Sequence, residues 1–252
     1  MQVPFLIISF IIVAFIYSSV GFGGGSSYTA ILVLSGISFS AIAPISLLSN
    51  IIVVSGNSLN YAKAKVVDFR IFAFLAITSV PCAYIGGKIP ISKTTFVWIL
   101  IIALLLSGVG LLLNAFKNDD FSPRANPIKP VKLSIIGAVL GFAAGITGIG
   151  GGILLSPILY HLRAATSKQI AATSSLFILV NSVSGLIGQL QKHPLQALEN
   201  SFFVLPLAVL LGGQIGNRLS LKLFSSKYLA LGTAILVIIA AFQLMLKQMD
   251  FI

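Results

Sequence analysis

Eight apolar stretches run along this chain, at residues 4–35, 40–60, 70–87, 94–114, 133–160, 169–190, 199–217 and 228–246, and nearly all of its charge falls between them. About 20 apolar residues are what an α-helix needs to cross a hydrocarbon core of ~30 Å. A chain built almost wholly of such stretches has too little polar surface to face water: 57% of its residues are apolar and 8% are Asp, Glu, Lys or Arg, against about 25% charged in a soluble domain. The sequence therefore predicts an all-α integral membrane protein, with the lipid bilayer as the solvent for most of the chain.

The formal net charge is +11, yet it does not indicate nucleic acid. The Lys and Arg are scattered in small groups over the loops and form no basic stripe with interleaved aromatics. Cytoplasmic loops obeying the positive-inside bias account for them. Cys82 has no second cysteine to pair with. His161 and His193 stand at segment ends without Cys or carboxylate neighbours at ligand spacing, so the reading includes no metal and no cofactor. Met1-Gln2-Val3-Pro4 lacks a basic n-region, and the apolar run after it lacks a small-residue cleavage site, so it reads as the first membrane segment rather than a cleaved signal.

The segment from Lys117 to Lys132 carries Pro123, Pro127 and Pro130 along with six charges, and reads as a linker between two halves. The halves resemble each other. Gly21-Phe22-Gly23-Gly24-Gly25 returns as Gly148-Ile149-Gly150-Gly151-Gly152 at an offset of 127, and Ser55-Gly56 as Ser184-Gly185 at 129. Ile85-Gly86-Gly87-Lys88-Ile89 returns as Ile215-Gly216-Asn217-Arg218-Leu219 at 130, and Ser92-Lys93 as Ser226-Lys227 at 134. Matches in one order with slowly growing offsets point to an internal duplication. The organisation expected is a first repeat over 1–116, a polar linker over 117–132 and a second repeat over 133–252.

The first segment of each half is unusual. Residues 4–35 number 32, and as one helix would span ~48 Å, too long for one crossing and too short for two. Gly disfavours helix by about 1 kcal/mol relative to Ala, so the chain breaks at Gly21–Gly25 and at Gly148–Gly152. If each broken segment is a hairpin returning to its starting side, one side of the membrane receives 12 basic residues and the other 4; if each is a single bent crossing, the division is 9 against 7. The positive-inside rule favours hairpins. Each half then holds a hairpin (4–35 or 133–160) and three crossings, so the second half enters the membrane inverted and both termini lie outside the cytoplasm.

Non-helical backbone at membrane depth is tolerated where protein or a wet cavity satisfies it. A helix restarting after Gly25 and another after Gly152 would offer unpaired N–H groups and the positive ends of two helix dipoles, which together attract an anion. The candidate substrate-binding residues are Gly21, Gly23, Gly24, Gly25, Ser26 and Ser27 with Asn50 in the first half, and Thr147, Gly148, Gly150, Gly151 and Gly152 with Thr173 and Asn181 in the second. Asn50 and Asn181 are singled out from the other polar residues of the following segments because amides are costlier to bury than hydroxyls.

Other readings stand beside this one. The glycines serve in membrane helices simply to let neighbours approach. A nucleotide loop would need the spacing of a GxGxxG or P-loop motif, which is absent. An intramembrane hydrolase would need a His within reach of a Ser, and Ser184 has only His161 or His193 at the membrane edge. Asp68, Asp119, Asp120 and Asp250 lie in loops or the tail and Glu199 at a segment edge, leaving no carboxylate for a proton relay or a cation site.

The repeated Gly-x-Gly-Gly-Gly at 21–25 and 148–152, Pro157-Ile158-Leu159 after the second copy, Ala171-Ala172-Thr173-Ser174, and the pair Ile85-Gly86-Gly87-Lys88 and Ile215-Gly216-Asn217-Arg218 resemble the TauE/SafE family of sulfite exporters. The resemblance covers about 9 to 246. It implies a bacterial inner-membrane protein moving sulfite, a sulfonate such as sulfoacetate, or a related sulfur-containing anion, usually outward. One departure is that Ala30 stands where the second half has Pro157, and Ser26-Ser27 where it has Ile153-Leu154. The reading is a transporter of a small anion by alternating access, with an anion channel, a scaffold or an intramembrane enzyme as alternatives. A second copy of the chain is a candidate partner.

Overall fold

The computed structural model describes residues 2–115, 128–192, 204–220 and 226–249. The core of the expected linker (117–127), His193, Glu199, Asp119, Asp120 and Asp250 lie outside them. Ten α-helices make up the described chain: α1 (Gln2–Ser19), α2 (Gly25–Leu34), α3 (Phe39–Lys63), α4 (Phe69–Lys88), α5 (Lys93–Ala115), α6 (Pro130–Thr147), α7 (Gly152–His161), α8 (Ser167–Lys192), α9 (Val204–Ser220) and α10 (Ser226–Met249). Six of them, α3, α4, α5, α6, α8 and α10, are long and apolar enough to cross a membrane. The predicted segments stand as helices where they are described, and 4–35 and 133–160 are each two helices parted at the glycines, as expected. α6 begins at Pro130, inside what the sequence reads as linker; Pro suits a first helical position, whose N–H has no intrahelical partner.

Apolar side chains face outward as well as filling the core, and the buried polar side chains gather mainly on two helices. Ile8 and Ile12 of α1, Ile135 and Val139 of α6, Leu106 and Leu113 of α5 and Leu207 and Leu211 of α9 are exposed, mostly at four-residue spacing along an outward face. Ser46, Ser49, Asn50, Asn57 and Ser58 of α3 are fully buried or nearly so, as are Thr173, Ser174, Ser175, Asn181, Ser182 and Gln189 of α8. Lipid covers the first set; the second lies along the central pair of helices.

That central pair is antiparallel. The hydroxyls of Ser58 and Ser175 lie 3.1 Å apart near one end, while Leu47 lies beside Gly185 toward the other. α5 and α10 also run antiparallel, with Gly108 against Ala234 and Ile238, and Val97 and Trp98 sharing a cleft with Leu244 and Lys247. α4 runs parallel to α8, since Ser184 donates to the Val80 carbonyl and Gly188 meets the Tyr84 carbonyl. α4 runs parallel to α6 as well, through Thr78 donating to the Ser134 carbonyl at 2.7 Å, Gly141 on Ser79 and Gly145 on Ala83.

The arrangement maps onto itself when α1–α5 are exchanged for α6–α10. α1 packs on α9 as α6 packs on α4; α3 packs on α9 as α8 packs on α4; α2 touches α3 and α10 as α7 touches α8 and α5. Single bent crossings would make the antiparallel pairs α3/α8 and α5/α10 parallel; the directions seen are those of segments that return to their starting side.

At each break the chain turns back. Phe10 of α1 and Tyr28 of α2 stack with ring centroids 4.5 Å apart. Had α2 continued the line of α1, the two rings would be well over 15 Å apart at a rise of about 1.5 Å per residue.

Candidate functional site

The breaks are built by glycine backbone geometry. At the end of α1, Gly21 takes φ 84°, the Gly21 N–H bonds the Ser18 carbonyl and the Phe22 N–H bonds the Tyr17 carbonyl at 2.9 Å, the paired bonds of a Schellman stop. Gly24, with φ 89°, is the N-cap from which α2 starts. In the second half Gly148 (φ 76°) ends α6, and Gly151 (φ 78°) starts α7. Side chains other than Gly would strain each of these left-handed positions.

The two breaks meet. Asn50 of α3 donates its amide to the Ile149 carbonyl at 3.1 Å and to that of Gly148 at 3.4 Å. Ser46, one turn earlier, donates to the Gly148 carbonyl at 2.9 Å and to that of Gly25 at 3.1 Å. Thr29 of α2 reaches Ser46 at 2.9 Å and the Thr147 carbonyl at 3.3 Å. The amide nitrogen of Asn50 also lies against both Gly25 and Gly150, where a Cβ would collide with it. Two hairpins belonging to different halves are thus joined through one face of α3.

Their helix ends are treated in opposite ways. At the C-terminal end of α6 the carbonyls are taken up: Ala144 by the Gly148 N–H, Gly145 and Ile146 by the amide of Gln189, Thr147 by Thr29, and Gly148 and Ile149 by Ser46 and Asn50. Near the end of α1, Asn57 donates to the Ser18 carbonyl at 3.4 Å. The starts of α2 and α7 have no such cover, because Gly24 and Gly151 bring no side chain and, among the described residues, none other caps them. The first N–H groups of a helix have no intrahelical acceptor. The meeting point therefore has its helix-end carbonyls spoken for and its helix starts without a side-chain cap, and no buried side chain of the described residues is charged. Chemically this arrangement accepts an anion and offers little to a metal cation.

All fourteen residues expected at the site are buried, but they are not all gathered in one place. Gly23, Gly25, Asn50, Thr147, Gly148 and Gly150 surround the meeting point. Ser26 and Ser27 instead bond the Tyr17 hydroxyl at 3.0 and 2.8 Å, toward α1. Gly21 faces Tyr61, Gly24 faces Tyr28, and Gly151 faces Phe177. Asn181 spends its amide on its own helix, donating to the Phe177 carbonyl at 2.7 Å. Thr173 is buried with its hydroxyl unpartnered.

On α8 it is Ser174, Ile178 and Ser182, spaced four apart, that face the second break: Ile178 and the Ser174 backbone meet Gly152, and the Ser182 hydroxyl meets Gly150. On α3 the corresponding ladder is Ser46, Asn50 and Val54, each 128 residues earlier. Asn50 thus answers to Ile178 and not to Asn181, so the second half has no amide at the equivalent position. The hydroxyls of Ser174 and Ser182 and the side-chain oxygen of Asn50 have no partner although buried. Gln189 and Tyr17 were not anticipated as parts of the site; the only sequence signal for Gln189 is a costly amide inside an apolar helix.

The chain is similar to known membrane proteins. The family model of the sulfite exporter TauE/SafE matches residues 6–244. The probable membrane transporter protein y4hK of Sinorhizobium fredii is 30% identical over 241 residues, covering 95% of this chain and 97% of the relative. The probable membrane transporter protein YunE of Bacillus subtilis is 26% identical, covering 95% and 96%, and the probable membrane transporter protein MJ0441 of Methanocaldococcus jannaschii is 27% identical, covering 87% and 85%. No solved structure matches the chain.

Proposed function

Because the chain belongs to the sulfite exporter TauE/SafE family of membrane transporters, we propose that it carries a small sulfur-containing anion, sulfite or an organosulfonate, out of the cell by alternating access. The anion is held where the two breaks meet, from which α2 and α7 start. One observation carries this: at the meeting of the two breaks the helix-end carbonyls are covered by Gln189, Asn50, Ser46 and Thr29, while the helix starts have no side-chain cap. Two positive dipole ends, each equivalent to roughly half an elementary charge, then attract an anion without a buried Lys or Arg.

The halves form an inverted repeat in this reading, residues 1–116 against 133–252. The antiparallel α3/α8 and α5/α10 pairs support it, as does the exchange pattern of contacts. Its basic loops face the cytoplasm and both termini lie on the extracytoplasmic side of the inner membrane. The conformation described is closed, with the site residues buried on all sides, so one half must shift against the other to open it.

Purified protein in liposomes tests the proposal. Saturable uptake of radiolabelled sulfite that is accelerated by unlabelled sulfite inside is the expected result. Flux without such counterflow would make the protein a channel, and the absence of flux for every oxyanion tried would end the transport reading.

A further inference from the structure

Resting on that reading of the two helix starts, the geometry points to a narrower substrate class: an oxyanion of single charge that carries an O–H or N–H donor of its own. The charge follows from what faces the meeting point. Two helix starts worth roughly half a charge each sum to about one. No buried side chain of the described residues adds a cation to that sum. A second negative charge on the ligand would sit uncompensated in a buried, low-dielectric place, which is a heavy penalty.

The donor follows from Asn50. Its amide nitrogen is committed to the carbonyls of Ile149 and Gly148, which fixes which way the amide points. Its oxygen is left beside Gly23 at the first break, fully buried and with no hydrogen-bond partner. An orphaned acceptor repels a deprotonated ligand oxygen and is satisfied by a ligand O–H or N–H. The unpartnered hydroxyl of Ser182, against Gly150 at the second break, can donate to the anionic oxygens. One end of the site thus wants a hydrogen from the ligand and the other gives one. Hydrogensulfite and short hydroxyalkyl sulfonates have this pattern. The doubly charged sulfite ion and sulfoacetate do not.

The test uses the unmodified protein in liposomes and the counterflow assay, with radiolabelled 2-hydroxyethanesulfonate as probe. Unlabelled 2-hydroxyethanesulfonate is expected to compete best. Ethanesulfonate, which keeps the charge and nearly the size but lacks the hydroxyl, is expected to compete at least about tenfold more weakly, because the buried acceptor stays unpaired. Sulfate and sulfoacetate are expected to be weaker by about a hundredfold or more. Equal competition by ethanesulfonate overturns the donor requirement, and equal competition by sulfate or sulfoacetate overturns the single-charge requirement, with the transport reading intact in both cases. Failure of every one of these anions to move or compete, with sulfite also inert, overturns the transport reading itself.

Discussion

Asn50 donates to the Ile149 carbonyl across 3.1 Å, and that one hydrogen bond spans the two halves of the chain at the point where both lose their helical backbone. The same amide lies against Gly25, whose Cα has the Ile149 carbonyl so near that a Cβ there would come within 2.6 Å of it. Replacing Asn50 by Leu strands the buried Ile149 carbonyl and leaves that of Gly148 to Ser46 alone. A loss of about 2 kcal/mol or more in stability is expected, together with loss of transport. Asn181→Leu is the contrast: Asn181 bonds only its own helix and leaves its oxygen unpartnered, so removing the amide is expected to be neutral or slightly stabilising. Thermal melting in detergent and liposome flux on both variants check the pair, and equal damage from both would mean that Asn50 has no special place.

Gln189 acts from the far side of the same turn. Its amide takes the Gly145 carbonyl at 2.8 Å and the Ile146 carbonyl at 3.4 Å, at the negative end of α6. Gln189→Leu uncovers those carbonyls next to the proposed anion. Apparent affinity for sulfite is expected to fall by roughly tenfold, the effect of one hydrogen bond of about 1.4 kcal/mol. A concentration series of flux reads this directly, and an unchanged half-saturation would show that covering the helix end is structural only.

How far the fold could be read in advance depended on which physical signal was involved. Helix length and the basic residues report on the membrane as a whole, so the apolar segments, the breaks at Gly21–Gly25 and Gly148–Gly152 and the opposite directions expected of α3 and α8 could all be argued from sequence, though not that these two helices pack together. Hydrogen-bond partners are a different matter. Asn50 and Asn181 look alike in an apolar run, yet a three-residue difference in register turns one across the breaks and the other onto its own backbone. Ser26 and Ser27 read as ligand donors until Tyr17, nine residues before Ser26, is seen to occupy them. Gln189 lies 41 residues beyond Gly148 and carries no motif at all.

The interface of α4 with α6 makes a sharper stability prediction. Gly145 lies on the Ala83 carbonyl and the Gly87 backbone, and Gly141 on the Ser79 backbone, atoms that cannot move aside as a side chain would. Gly145→Ala is expected to cost at least about 1–3 kcal/mol through overpacking. Gly232 in α10 has nothing within 4 Å of its would-be Cβ, so Gly232→Ala is expected to gain up to about 1 kcal/mol in helix propensity. Melting temperatures that move the same way in both variants would contradict the packing described.

Ser58 and Ser175 allow the proposed motion to be stopped at will. Their hydroxyls are 3.1 Å apart where the C-terminal end of α3 passes the N-terminal part of α8, and cysteines at both positions lie within reach of a disulfide. The background is Cys82→Ala, since Cys82 is the only native thiol. Alternating access requires the halves to part on one side of the anion and then on the other, and α3 and α8 form the central seam between them. Oxidising Ser58→Cys/Ser175→Cys is therefore expected to abolish counterflow, and reductant to restore it. Full flux through the crosslinked protein, with crosslinking verified by mass, would show that the seam stays shut during transport and that the anion takes another route.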